Sequence, residues 1–243
     1  FFIDNVIKVS FINYMYQKNK DKYIIDLFSG CGGFAEGFKK LKYKSYLAAD
    51  IDYWSCKTFQ TRFKNAIVLN DDITNNAFKS KLRKNLNGSK IEGLVAGLPC
   101  QSFSSVGKAQ DKHSMQKDKR NYFYKDFFNC LKIINPKFFV FENVKGILSS
   151  KPNGANVFNE IIKISKNLGY VTINDKSKMI FDCSEYGVPQ VRKRVFVIGL
   201  KKKYSHLIDK IYEELTDRTK EKNTYTVKDA IIDLPKLKPG EGK

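Results

Sequence analysis

Short apolar runs alternate along this chain with longer stretches in which apolar positions recur every three or four residues, and that alternation sets the expected architecture. Tyr23–Phe28, Lys44–Ala49, Ala66–Leu69, Gly93–Gly97, Phe138–Glu142, Val171–Lys176 and Val195–Leu200 read as strands. Phe34–Leu41, Tyr53–Phe63, Tyr122–Ile134 and Val157–Asn167 read as the helices between them. The pattern predicts an α/β fold, a mostly parallel, doubly wound sheet with helices on both faces. Ser102–Arg120 breaks the rhythm: it is polar and carries Lys108, Lys112, Lys117, Lys119 and Arg120. So long an irregular stretch in a compact domain is more often functional than accidental. The tail from Tyr204 to Lys243 reads as a charged helix, a short Val227–Leu234 segment and a Pro/Gly-rich exit, and no internal repeat is visible.

Composition narrows the class. A length of 243 residues is enough for one large domain or two small ones. The formal charge of +19 is that of a surface that attracts polyanions, although solvated lysines alone would give the same total. Phe138–Phe141 and Val195–Leu200 are far too short to span a bilayer, and Phe1-Phe2-Ile3-Asp4 lacks the form of a secretory signal, so no membrane partner is expected. The missing initiator Met suggests a start inside a longer gene product. The cysteines, at positions 31, 56, 100, 130 and 183, are odd in number and form no C-x-x-C pair, and there are two histidines. A metal site is therefore not expected, and a reducing compartment fits best.

Three strand ends suit a nucleoside ligand. Tyr23–Phe28 runs into Ser29-Gly30-Cys31-Gly32-Gly33, where glycines let a ligand approach the backbone and the next helix turns its N–H groups toward it. Many such turns serve only strand–helix packing. The next strand ends in Asp50-Ile51-Asp52, where a carboxylate can accept from both ribose hydroxyls, and the third in Asp71-Asp72-Ile73, beside a possible adenine edge. The spacing is not G-x-G-x-x-G, so a nicotinamide dehydrogenase is a poor fit.

Gly97-Leu98-Pro99-Cys100-Gln101-Ser102-Phe103-Ser104 follows a buried-looking strand and opens the basic stretch, placing Cys100 where ligands bind in such sheets. The other four cysteines read as inert buried thiols. Glu142 ends a strongly apolar strand, either as a carboxyl kept in a dry site with a raised pKa or as a solvated strand end. Arg192 and Arg194 fall on one face of the last strand, as an anion clamp or an ordinary charged edge.

Taken together, Asp26–Phe38, Gly97–Ser104, Glu142–Val144 and Gln190–Gly199 resemble the successive signature blocks of DNA cytosine-5 methyltransferases, in the family's order. The resemblance implies a Rossmann-like class I methyltransferase fold and S-adenosylmethionine as methyl donor, leaving S-adenosylhomocysteine. It places Phe28, Gly30, Cys31 and Gly33 at the cofactor's methionine end, Asp50 at its ribose, and Ile51, Asp72 and Ile73 at its adenine. Pro99 would lie between cofactor and nucleophile. Cys100 would attack C6 of a flipped cytosine, Glu142 would meet its N3 edge, and Arg192 and Arg194 would orient both. Gln101, Ser104, Lys108, Arg120 and Asn143 are expected against double-stranded DNA, with Ser102–Arg120 closing on it. Asp50 stands where the family more often has Glu, and Ile51 where a bulkier aromatic is common.

Thr226–Pro235 resembles the family's lead-in to its target-recognition segment, which is not seen here and would lie elsewhere on the polypeptide or on a second subunit. Asp4–Met15 resembles the family's final block, displaced to the front; this implies a circularly permuted order with Asn5 near the cofactor, or else an unrelated amphipathic helix. A bacterial-type cytoplasmic, nucleoid-associated enzyme of a restriction-modification system is implied. The competing readings are an RNA cytosine-5 methyltransferase, whose Cys-Phe-Thr or Thr-Cys signatures are not seen, and a non-catalytic DNA-binding subunit, which need not retain Cys100, Glu142 and Arg192 together.

Overall fold

The structure is a computed structural model that describes residues 21–104, 109, 118–217 and 225–241. Asn5, the 4–15 block and Lys108 lie outside the described residues.

The sheet runs β3-β2-β1-β4-β5-β8-β6, with β7 paired to β8. Its strands are β1 (Lys22–Leu27), β2 (Tyr43–Asp50), β3 (Ile67–Asn70), β4 (Gly93–Gly97), β5 (Phe138–Asn143), β6 (Tyr170–Val171), β7 (Ile180–Asp182) and β8 (Lys193–Lys201). From β3 through β5 the pairings are parallel; β8 runs antiparallel to β5, β6 and β7. The chain builds outward from β1 through β2 and β3 on one side and from β4 on the other. That reversal opens a crevice at the carboxyl ends of the strands, between β1 and β4.

Helices α1 (Gly33–Lys40), α2 (Tyr53–Arg62), α3 (Asn76–Leu86), α4 (Phe123–Ile134) and α5 (Val157–Asn167) connect the strands. Asp52 caps α2 by accepting from the Ser55 amide, and Asn156 caps α5 by accepting from that of Asn159. Phe127 of α4 meets the rings of Phe139 and Phe141 edge-on at 5.7 and 5.5 Å, and Phe38 of α1 stacks on Phe138 at 5.8 Å. After β8, α6 (Ile208–Asp217) places Tyr212 against that strand: its hydroxyl accepts from the Ile198 amide and donates to the Phe196 carbonyl, each at 3.0 Å. The short α7 (Val227–Ile231) buries no side chain. Among the described residues no helix is long and apolar enough to cross a membrane.

Two elements were not anticipated, and one is shorter than expected. Helix α3 buries only Phe78 and Leu82 within a lysine-rich stretch, so its apolar stripe is too thin to stand out. Strand β7 is too short for a visible period. The strand expected over Val171–Lys176 pairs only at Tyr170 and Val171; Asp175 then accepts from the Ser177 amide and hydroxyl, turning the chain away.

Within β1, Asp26 is fully buried, and among the described residues neither carboxylate oxygen has a hydrogen-bond partner that meets ordinary geometry. Burial raises its pKa well above the ordinary value; the Ala35 amide of α1 offsets this only partly, and the Asp50 charge adds to it. As pH rises above the ordinary carboxylate range, the unfolded chain gives up this proton while the folded chain keeps it. The stability Asp26 contributes is thus whole in acid and is lost toward its own raised pKa, by about 1.4 kcal/mol per pH unit. Asp26→Asn should therefore gain on the wild type as pH rises from 5 to 8, measured by urea unfolding at each pH. A constant difference would show that Asp26 titrates as an ordinary surface carboxylate.

Candidate active site

The turn after β1 is shaped by backbone conformation. Phe28 holds a left-handed φ of 52°, uncommon for a bulky residue, and its ring stacks on Phe123 at 5.6 Å. Gly30 follows at φ +51°, and its amide donates to Asp50 Oδ2 at 2.8 Å. The other Asp50 oxygen accepts from the Asp52 amide at 2.9 Å. Asp50 thus ties the end of β2 to the glycine turn, leaving the remaining lone pairs of a half-buried carboxylate for a ligand. Among the described residues, nothing lies within 4 Å of a Cβ built on Gly30 or Gly33.

The rest of that rim is mixed. Ile51 is 72% exposed, an apolar side chain presented to solvent beside Asp50. Asp72 spends Oδ1 on the Thr74 amide and hydroxyl at 2.9 and 2.8 Å. Ile73 is buried in the core, which corrects the expectation of a side-chain contact with adenine: only its main chain can face a ligand. Cys31 is exposed, not buried as expected for a bystander thiol. It sits in the glycine turn, and its carbonyl accepts from Arg62 of α2. Cys56, Cys130 and Cys183 are buried, and burial pushes the latter two thiols up to about 12 and about 11.

Across the crevice, β4 leads through Leu98 and a half-buried Pro99 to Cys100, which is half-buried with a free thiol. Its carbonyl accepts from the amides of Phe103 and Ser104, both at 3.0 Å, curling Gln101–Phe103 into a single 3-10 turn. Gln101 is exposed, Ser104 is half-buried with its hydroxyl on the Gln101 carbonyl, and the buried Ser102 hydroxyl has no partner among the described residues. This turn rests on Gly146, where a Cβ would stand 2.0 Å from the Phe103 carbonyl oxygen.

Glu142 pairs with Gly97 in the β4–β5 register, so it stands at the same strand end as the approach to Cys100. Its Oε1 lies 2.7 Å from Nε of Arg194, and both side chains are mostly buried. Burial holds the Glu142 pKa above the usual carboxylate range even though Arg194 and Arg192 pull it down. The two arginines are separated by the fold: Arg194 lies in β8, whereas Arg192 precedes it and has an exposed side chain. The main chain of Arg192 is anchored, its amide donating to Asp182 Oδ1 and its carbonyl accepting from Cys183.

Two residues expected at DNA, Asn143 and Arg120, make contacts within the chain. Asn143 is fully buried; its amide donates to the Leu98 carbonyl at 3.4 Å and its oxygen accepts from Val144. It therefore braces the Cys100 approach and cannot touch DNA, because alternation along β5 turns it away from the side of Glu142. Arg120 forks onto Asp118, with Nε and a terminal nitrogen 2.6–3.0 Å from its oxygens, so its guanidinium is engaged within its own turn. Among the described residues no group of three or more His, Cys, Asp or Glu could hold a metal.

Comparison with known proteins identifies the family. Residues 23–242 match the family model described as C-5 cytosine-specific DNA methylase. The chain is 40% identical over 224 residues to the type II methyltransferase M.DdeI of Desulfomicrobium norvegicum, covering 90% of this chain and 50% of that protein. It is 35% identical over 218 residues to M1.HphI of Haemophilus parahaemolyticus, covering 89% and 54%. It thus spans about half the length of the curated relatives it matches. A solved structure described as a prophage-encoded DNA modification methyltransferase of E. coli superposes with a TM-score of 0.68 at 28% identity, covering 89% of this chain and 56% of that one. A Spodoptera frugiperda DNMT2 mutant shares the fold, with a TM-score of 0.54 at 22% identity over 75% of this chain and 50% of that one. A family model spanning nearly the whole chain, and a relative at 40% identity, place it plainly: the chain belongs to the C-5 cytosine-specific DNA methylase family.

Proposed function

We propose that this chain carries the catalytic half of a DNA (cytosine-5-)-methyltransferase of a type II restriction-modification system. The observation that supports this reading best is that Cys100, past the carboxyl end of β4, shares one edge of the sheet with Glu142 at the carboxyl end of β5 and its ion-pair partner Arg194 at the amino end of the antiparallel β8. Its substrate would be a cytosine swung out of duplex DNA, since a stacked base cannot reach such a crevice.

The cofactor fit rests on the glycine turn. The clearance at Gly30 and Gly33 among the described residues, the remaining lone pairs of Asp50 and the exposed Ile51 together suit a nucleoside with an amino-acid tail. Phe28, Gly30, Cys31 and Gly33 would hold the methionine end, Asp50 the ribose, and Ile51 with Asp72 and the Ile73 main chain the adenine. Pro99 would separate the cofactor from the nucleophile. When bound, S-adenosylmethionine supplies an electrophilic methyl group, and S-adenosylhomocysteine is what remains.

The chain's own residues do the rest. C5 of cytosine is a weak nucleophile because attack through it breaks the ring's conjugation. Addition of the Cys100 thiolate at C6 forms an S–C bond and moves the ring's electrons toward C5 and N3. Glu142, whose pKa burial raises against the pull of Arg194 and Arg192, would meet N3 and stabilise that charge. Arg194 holds Glu142 in place, and Arg192 stands exposed for the base carbonyl or a phosphate. After C5 is methylated, loss of its proton returns the electrons to the ring and expels the thiolate.

DNA carrying 5-fluorocytosine tests this reading, because fluorine at C5 blocks the final elimination. With S-adenosylmethionine present, a stable covalent complex should survive denaturing electrophoresis, and peptide mapping should place the adduct on Cys100. An adduct on another residue, or none, would overturn the assignment.

A further inference from the structure

Beside the catalytic turn lies a groove of about 840 Å³ that the chemistry above does not use. It opens at Ser104, just past the nucleophile, and runs between the β5 exit and the segment preceding β7. Its polar lining consists of Ser104, Lys145, Ser149, Lys176, Ser177 and Lys193. Among the described residues no carboxylate lines it. Three of these side chains are ammonium groups contributed by three separate segments, and the others are hydroxyls.

The lysines are not equivalent. Lys176 is partly committed, its Nζ donating to the Leu148 carbonyl at 3.0 Å and lying 5.0 Å from the Phe158 ring centroid. Lys145 and Lys193 are exposed and form no ion pair with any described residue. The nearby acids are occupied: Asp175 accepts from the Ser177 amide and hydroxyl, and Asp182, which Lys193 helps to keep ionised, accepts from Ser184 and the Arg192 amide.

We propose that this groove holds the sugar–phosphate backbone of the DNA strand that carries the flipped base, with Lys145 and Lys193 as its phosphate anchors. The inference rests on the reading of the chain as a DNA methyltransferase. A flipped base stays tethered to its strand, so the flanking phosphates must leave the crevice within a nucleotide or two of Cys100. A phosphodiester presents only acceptors; the serine hydroxyls of the lining already donate within the chain, to the Gln101 and Gly146 carbonyls and to Asp175, which leaves the lysine ammonium groups as its donors. Lys193 directly precedes Arg194 and Lys145 closely follows Glu142, so phosphates held here would fix the strand relative to the groups that meet the base.

The test is the salt dependence of duplex binding by the full chain, with 5-fluorocytosine trapping of the wild type run alongside. Each phosphate left without its lysine should lower the slope of log affinity against log salt by about 0.9. Lys145→Ala with Lys193→Ala should therefore flatten the slope by nearly two and weaken duplex binding at low salt by tenfold or more, with S-adenosylhomocysteine affinity unchanged. Lys163→Ala with Lys166→Ala, exposed on α5, removes the same charge and should leave the slope as it was. If both double variants lower the slope equally, the effect is net charge alone and the groove proposal fails. It fails too if the groove variant keeps the wild-type slope while the wild type still forms its adduct. Absence of a wild-type adduct would instead overturn the methyltransferase reading, and the groove proposal with it.

Discussion

Replacing Cys100 by serine should abolish methyl transfer, by at least about 10³-fold, while S-adenosylhomocysteine binding stays near wild type. The thiolate is the reactive form of cysteine, and an alcohol reaches the corresponding anion only at far higher pH. The substitution changes one atom on a turn whose geometry is set by the Cys100 carbonyl and the amides of Phe103 and Ser104, none of which involves the side chain. Steady-state methylation of duplex DNA and calorimetry with S-adenosylhomocysteine measure the two halves separately. Retained turnover would remove Cys100 from the chemistry. Cys31→Ser is the informative partner: Cys31 is also solvent-accessible, its carbonyl, which serine keeps, is what Arg62 engages, and that variant should remain active.

The second large effect is expected at Gly146, which touches neither base nor cofactor in the reading above. A methyl group there would sit 2.0 Å from the Phe103 carbonyl oxygen and 3.0 Å from its carbonyl carbon. Both are backbone atoms of the turn that begins at Cys100, so the clash cannot be relieved by rotating a side chain. Either the Lys145–Leu148 turn or the Cys100–Ser104 turn must move by the order of an ångström, and a displacement of that size at a reacting group costs about 10²-fold in rate. Gly146→Ala should thus lower kcat by about that factor, with a reduced melting temperature but cofactor affinity little changed. A variant within twofold of wild-type kcat would show that the two turns are not rigidly coupled.

Much of this could be read from the sequence because the relevant signals are local. The glycine turn, the Pro99-Cys100 step and the apolar strand ending in Glu142 each announce themselves within a few residues, and the sheet supplies their proximity by parallel pairing. What could not be read depends on contacts distant in sequence. Nothing around Gly146 says that the Phe103 carbonyl will lie against it. Asp26 looks like any carboxylate in a glycine-turn motif until both flanking strands and α1 are packed around it. Asn143 is a different case. It follows Glu142 in a strand, so alternation alone sends the two to opposite sides, and that signal was present to be used. Likewise, placing Arg192 and Arg194 on one strand face assumed that the strand begins before Arg192, whereas β8 begins at Lys193.

The way the catalytic groups are mounted has a consequence for how the protein comes apart. Cys100, Glu142 and Arg194 are carried on β4, β5 and β8, whose central residues Leu94–Ala96, Phe138–Phe141 and Val195–Ile198 have 0–2% exposure. The amides of such strands exchange with solvent chiefly through the largest opening a protein can undergo, whereas segments with little buried surface open far more often. The separation of nucleophile from acid is therefore a property of the slowest-exchanging foldon. Breathing of peripheral pieces such as α7, which buries nothing, can proceed beside it without disturbing the geometry. In deuterium exchange the strands beneath the chemistry should be the last to label, and a sample that has lost its periphery can still hold its reactive groups in register.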